Sequence, residues 1–385
     1  MKRVIAAASL ALICLSAFCQ EEISRDRSRY AVNNFAEDDK YVAVAPYETV
    51  KVSQPKSNKV KNVIFLIGDG MGLEQMSAGW VANGGKLNID NCPVVGLQRT
   101  YAANKLITDS AAAGSALATG KKTNYNHVAA DADGNPASSL RDAAQAAGKK
   151  TGIIVTCRIN DATPAVFMAH NVSRDNQEDI VVDITESNVD FISGGGIQYW
   201  TSRTDGKDMV KKLEGKGYTF VDNKEDLAKV SSLPVLGLFA PTEMEPALER
   251  GDYLEVATEK ALELLDNKKG FFMMIEGSCI DDYCHDNKVG YAMEELFDFD
   301  RTVGKVLEWA AKDGHTLVVV TGDHSTGGMT LLGGSIEKNS IKVNFSSTGH
   351  NGIYMPVYVY GPHASDFEGI YENSELSNKI RKLIK

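Results

Sequence analysis

The sequence predicts an α/β protein with a mainly parallel central sheet and helices on both of its faces. Two observations carry this. Short runs of consecutive apolar residues recur along the chain, each closed by glycine or a polar residue, as suits strands covered on both sides. Between them, apolar residues fall three and four apart, so helical and extended segments alternate. No internal repeat, low-complexity tract or linker interrupts residues 61–385, which are expected to form one domain.

The chain starts MKRVIAAASLALICLSAFCQEE, with two early cations, an apolar run from Val4 to Phe18 and then polar residues. This is the pattern of a secretory signal over residues 1–19, cut near Ala17 to Gln20, and it implies a periplasmic or secreted protein. Cys19 offers a lipoprotein alternative, disfavoured because Phe18 is bulkier than that processing usually accepts. Residues 20–60 are polar, end in SQPKSNKVK and suit a surface arm. The first strand is NVIFLIG, followed by TGIIVT (151–156), VDFISGGG (189–196), GFFMMIEG (270–277), HTLVVVTGDH (315–324) and PVYVYG (356–361). One helix is SSLRDAAQAAG, opened by a serine cap and closed by Gly148. A longer one carries Ala292, Leu296, Phe299, Val303, Val306 and Ala310 on one face.

Beyond the signal, no segment is long and apolar enough to span a bilayer. The net charge of -10, without basic blocks, argues against a nucleic-acid partner. Cys92, Cys157, Cys279 and Cys284 remain after signal removal, an even number for an oxidising compartment, but sequence does not say whether they pair.

The chemistry gathers at strand ends, where open parallel sheets bind their ligands. Asp69 sits among glycines in GDGMG after the first strand. Asp323 and His324 follow VVVTG, Glu276 is succeeded by Asp281 and His285 four residues apart, and His350 lies on a glycine-flanked turn. Each piece is weak alone, but four such pieces in one chain point to metal ligation. Imidazole with carboxylate suits zinc, and an oxygen-only set suits magnesium.

In ITDSAAAGSALATG, the alanine-rich stretch favours helix and puts Asp109 and Ser110 at its first turn. Unpaired N–H groups there favour an anionic phosphate, which makes Ser110 the candidate nucleophile. No histidine lies near it in sequence, so metal activation would have to replace a base. INDATPAVFMAHNVSR adds Asp161 and Thr163 as oxygen ligands and Arg174 as a planar fork for two phosphate oxygens. His127, His170, His315 and His363 are expected to lie outside the site.

Taken together, GDGMG, TDSA, DATPAVFMAHNVSR, IEGSCIDDYCH, GDHSTGG and STGHNG, in this order, closely resemble the bacterial alkaline phosphatases, a likeness running from about residue 60 to the C-terminus. It implies an alkaline-phosphatase-like three-layer α/β/α sandwich with two zinc ions and one magnesium ion. Asp281, His285 and His350 would hold one zinc; Asp69, Asp323 and His324, with Ser110, the other. Asp69 would bridge to magnesium, whose further partners resemble Asp161, Thr163 and Glu276. The implied reaction is hydrolysis of phosphate monoesters through a phosphoserine on Ser110, with Arg174 clamping the phosphoryl oxygens. Homodimers are common in that family, though the sequence locates no interface.

One position departs from the family pattern. After Asp281, relatives often carry Lys, His or Trp; here it is Asp282, which either faces the phosphate or points to solvent. A sulfatase would need a Cys or Ser followed by Pro and Arg, which TDSAAAG lacks. Arg174 disfavours a diesterase, and a mere metal- or phosphate-binding protein would not need Ser110.

Overall fold

The computed structural model describes residues 37–385, so the expected signal peptide and the start of the arm lie outside the described residues. The strands are β1 (Lys40–Val42), β2 (Asn62–Gly68), β3 (Val94–Arg99), β4 (Lys150–Arg158), β5 (Phe191–Gly195), β6 (Thr219–Val221), β7 (Val235–Leu238), β8 (Phe271–Gly277), β9 (Thr316–Gly322), β10 (Ser325–Thr326), β11 (Met329–Ser335), β12 (Ser340–Phe345), β13 (His350–Asn351), β14 (Met355–Tyr360) and β15 (Gly369–Glu372). Ten of them form one sheet, in the order β15-β3-β14-β9-β2-β8-β4-β5-β7-β6. Only β14 runs against the rest, antiparallel to both β3 and β9. Helices cover the two faces, and this is the α/β sandwich that the alternating pattern predicts.

Burial explains the continuous apolar runs. Every residue of β2, β8 and β9 is buried, because each strand is flanked by strands at its edges and covered by helices above and below. Phe65 and Phe272 meet Phe167 from the helix Ala162–Met168, with ring centroids 6.4 and 6.0 Å apart. The helix Val289–Asp313 buries Ala292, Leu296, Phe299, Val303, Val306 and Ala310 and stops at Gly314 in the left-handed region. The helix Leu140–Ala146 is capped by Ser139, whose hydroxyl accepts from the Asp142 amide.

Residues 37–60 are tied down rather than free. β1 pairs with β12, in a three-stranded sheet with β11. Tyr41 is buried on Glu294, and the Tyr47 hydroxyl donates to Asp300 Oδ2 at 2.5 Å. Val50 N donates to Asn88 Oδ1 and the Tyr360 hydroxyl to Ser53 O, so contacts from three parts of the domain hold the segment. Cys92, Cys157, Cys279 and Cys284 are all buried. Among the described residues, no helix is long and apolar enough to cross a membrane.

Candidate active site

The sheet order brings the sequence-predicted residues to one edge. β9, β2, β8 and β4 are neighbours, and their carboxyl ends deliver Asp323 and His324, Asp69, Glu276, and Asp161 with Thr163. The helix Cys279–His285 after β8 presents Asp281 and His285 one turn apart on one face. Because β14 is reversed, the chain leading into it starts at this same edge and supplies His350. The short ladder β10–β13 pairs Thr326 with His350 and lays the His350 ring on that of His324, centroids 3.5 Å apart. Gly70 turns the chain after Asp69 at φ +71°; a Cβ there would meet the Asp281 backbone at 2.8 Å, so the glycine is needed for conformation and for space.

Two clusters of ligand atoms result. In the first, His285 Nε2 lies 3.2 Å from Asp281 Oδ2 and 3.1 Å from His350 Nε2, and His350 Nε2 lies 3.6 Å from Asp281 Oδ1. In the second, His324 Nε2 lies 3.2 Å from Asp323 Oδ2, 3.4 Å from Asp69 Oδ1 and 3.2 Å from Ser110 Oγ. Tetrahedral ligands about 2.0 Å from one ion stand about 3.3 Å apart, so these spacings fit zinc.

The hydrogen bonds support the same reading. His350 Nδ1 faces Thr108 O at 2.8 Å and His285 Nδ1 faces Thr348 O. A carbonyl only accepts, so in the neutral rings Nδ1 carries the proton and the two Nε2 lone pairs point at one another. That repulsion is relieved by a cation between them. Asp69 Oδ1, Asp323 Oδ2 and Glu276 Oε1 are buried without a hydrogen-bond partner. Burial, with the neighbouring carboxylates, pushes Asp69 and Glu276 well above the usual carboxylate range, and burial with Asp281 pushes Asp323 up to about 7. Buried acids that face one another without hydrogen-bond partners have the chemistry of a cation-binding set.

The third, oxygen-only set is looser. Thr163 Oγ1 lies 3.5 Å from Asp69 Oδ2, and burial, with the charge of Asp161 next, raises the Glu276 carboxyl. Asp161 Oδ1 is engaged by two guanidiniums, Arg174 Nη2 at 3.1 Å and Arg158 Nη2 at 2.6 Å.

Ser110 is the first residue of the helix Ser110–Thr119, and Asp109 caps it by accepting from the Ala112 amide at 3.1 Å. Asp109 Oδ2 also faces Arg174 Nη1 at 3.8 Å, which sets the fork beside the serine. Burial lowers the Arg174 pKa but Asp161 and Asp109 outweigh it, so the guanidinium stays charged. The expectation that no histidine stands near Ser110 holds only along the chain, since tertiary structure brings His324 to it. Burial holds His324 well below its ordinary pKa; its Nδ1 faces the Thr326 hydroxyl at 3.3 Å, and the carboxylate nearest that nitrogen, Asp281 Oδ1, stands at 4.0 Å, beyond the hydrogen bond that orients a triad histidine. This ring suits a ligand better than a base.

Asp282 is buried, not turned to solvent. His170 Nδ1 bonds Ala129 O, His315 Nδ1 bonds Ser57 and His363 Nδ1 bonds Asp366, while His127 faces Asp131 O; none joins the clusters. Sequence reasoning missed Arg158 and Glu243, whose ion pair is buried beside Asp161, because neither belongs to a recognisable motif.

Comparison with known proteins agrees with this geometry. The alkaline phosphatase family model matches residues 60–344. Alkaline phosphatase 4 of Bacillus subtilis is 34% identical over 88% of this chain and 92% of that protein. The Escherichia coli alkaline phosphatase is 29% identical over 86% of this chain and 87% of that protein. Among solved structures, alkaline phosphatase from the Antarctic bacterium TAB5 is 39% identical, superimposes with a TM-score of 0.81, and is matched over 85% of this chain and 98% of its own. A variant of the TAB5 enzyme, 37% identical with a TM-score of 0.79, was solved with Mg bound. With its strand-end carboxylates and imidazoles and its match to these relatives, the chain belongs to the alkaline phosphatase family.

Proposed function

We propose that the protein hydrolyses phosphate monoesters to an alcohol and inorganic phosphate through a phosphoserine at Ser110, with two zinc ions and one magnesium ion. The observation that carries this is Ser110 Oγ, buried at a helix start and 3.2 Å from His324 Nε2 in a cluster of ligand atoms, with Arg174 beside it. Asp281, His285 and His350 would hold one zinc, Asp69, Asp323 and His324 with Ser110 the other, and Asp69, Asp161, Thr163 and Glu276 would serve magnesium. Bound zinc would supply Lewis-acid chemistry, lowering the pKa of a hydroxyl or water and stabilising alkoxide charge. Mg bound in the TAB5 variant supports the third assignment.

Ser110 Oγ gives up its proton and attacks phosphorus in line; the bond to the leaving oxygen breaks, and that oxygen takes a proton as the alcohol departs. Water then attacks the phosphoserine, releasing phosphate and restoring the hydroxyl. Arg174 holds two non-bridging oxygens through both transfers, which suits monoesters because a diester has one such oxygen fewer to offer as charge. The apolar run from Val4 to Phe18 supports export of the mature protein to the periplasm or beyond. Assays of the purified protein on a chromogenic phosphate monoester, a diester and a sulfate ester test the reading; a preference for either alternative substrate would sink it.

Arg174→Ala should weaken inhibition by phosphate by about 2 kcal/mol, or roughly thirtyfold, while measurable turnover persists. An unchanged inhibition constant would put Arg174 outside phosphate binding. Asp282→Lys should tighten phosphate inhibition and slow turnover, since it exchanges a buried negative charge for a positive one beside the Asp281 ligand. Weaker inhibition in that variant would show that Asp282 does not act on the phosphate.

A further inference from the structure

A second guanidinium lies beside the clamp, and the reaction above does not use it. Arg158 ends β4 and is 6% exposed. Its Nη2 donates at 2.6 Å to Asp161 Oδ1, the oxygen that also accepts from Arg174 Nη2 at 3.1 Å. Its Nη1 donates to Glu243 Oε1, and its Nε to Gln177 Oε1 at 3.3 Å. Gln177 in turn donates its amide to the Arg174 main-chain carbonyl at 2.5 Å. Arg174 is therefore tied to Arg158 at both ends, the guanidinium through Asp161 and the backbone through Gln177.

Geometry gives this contact a consequence. A free carboxylate beside an arginine takes it as a fork, two parallel N–H bonds on two oxygens. Asp161 does not hold Arg174 in this way: the single bond from Nη2 is longer than the one from Arg158, and Arg174 Nε is left without a hydrogen-bond partner among the described residues. Arg158 also offsets the charge of Asp161, so that less negative charge stands beside Arg174 to repel an incoming dianion.

We propose that Arg158, held from behind by Glu243, is a positioning residue for phosphate binding: it occupies Asp161 so that Asp161 takes only one N–H of Arg174 and the guanidinium stays aimed at the phosphoryl oxygens. This rests on the assignment of Arg174 as the phosphate clamp. The test uses the full zinc-loaded protein and the variants R158M, R158K, R158M/E243M, R174A and R158M/R174A. For each, KM and kcat are measured on a chromogenic phosphate monoester, the Kd of inorganic phosphate by calorimetry, and zinc content by elemental analysis. R158M should raise KM and the phosphate Kd about tenfold, with kcat within about threefold and zinc unchanged. R158K should recover part of the loss, and R158M should add nothing to R174A. R158M/E243M leaves no unpaired Glu243 in the interior, so it carries the same expectations if R158M alone does not fold. Parent values of KM and Kd in R158M or R158M/E243M, or a loss that adds in full to that of R174A, would overturn the proposal. A parent that binds phosphate but hydrolyses no monoester would overturn the reaction alone, leaving the Kd comparison to decide on Arg158; a parent that binds no phosphate overturns both.

Discussion

Replacing Ser110 with alanine is expected to lower monoester hydrolysis by roughly a thousandfold or more and to remove the covalent phosphoenzyme altogether, with zinc largely retained. The size of the effect follows from the absence of a substitute. Ser110 is the residue whose oxygen stands at 3.2 Å from His324 Nε2 at a helix start, where N–H groups favour the incoming anion. Thr108, the nearest hydroxyl along the chain, is turned onto the Asp109 carbonyl instead. Zinc should remain because Asp69, Asp323 and His324 still converge when the hydroxyl is gone. The check is acid trapping with labelled substrate, together with elemental analysis of the same sample. Label retained on the alanine variant would sink the assignment of the nucleophile, and zinc lost along with the hydroxyl would mean that Ser110 is a main ligand.

Chelation should abolish activity and also lower the melting temperature. Asp69, Glu276 and Asp323 are buried with oxygens that have no hydrogen-bond partner, and burial with neighbouring carboxylates raises all three. Without cations, these charges oppose one another in a low dielectric. An ion present at a thousand times its Kd stabilises the folded state by about 4 kcal/mol, so stripping the site should be plain in thermal melts at fixed pH. Zinc should restore activity, and magnesium should raise the restored rate, in keeping with the imidazole-containing and oxygen-only sets. Full activity in magnesium alone, with no zinc found by elemental analysis, would overturn the zinc assignment. An unchanged melting temperature after complete metal removal would contradict the electrostatic argument.

The strands nearest the site were the most legible. β2, β8 and β9 are buried on both faces, so their side chains had to be apolar without interruption, and that is visible locally. The residues proposed as ligands were legible too, because a parallel strand ending in Asp, Glu or His leaves its mark in a few consecutive residues. β3, β6, β7 and β15 were not legible: β3, β6 and β15 lie at or near the sheet edges, where partly exposed residues blur the pattern, and β7 is buried but only four residues long. The arm read as polar chain, yet residues 40–42 pair with β12 and Tyr41 is buried against the long helix.

By itself, then, the sequence determined the α/β class, the longer buried strands and the acids and histidines that stand at their ends, since each of these is a demand on a short stretch of chain. Tertiary structure alone decided that β14 runs backwards and so brings His350 onto His324, that Ser110 meets that histidine from 214 residues away, and that Arg158 and Glu243 stand behind Asp161 and Arg174. These are contacts between residues far apart in the chain. The free energy that selects them comes from packing the whole sheet and its helices, and a local stretch of sequence records only its own share of that packing.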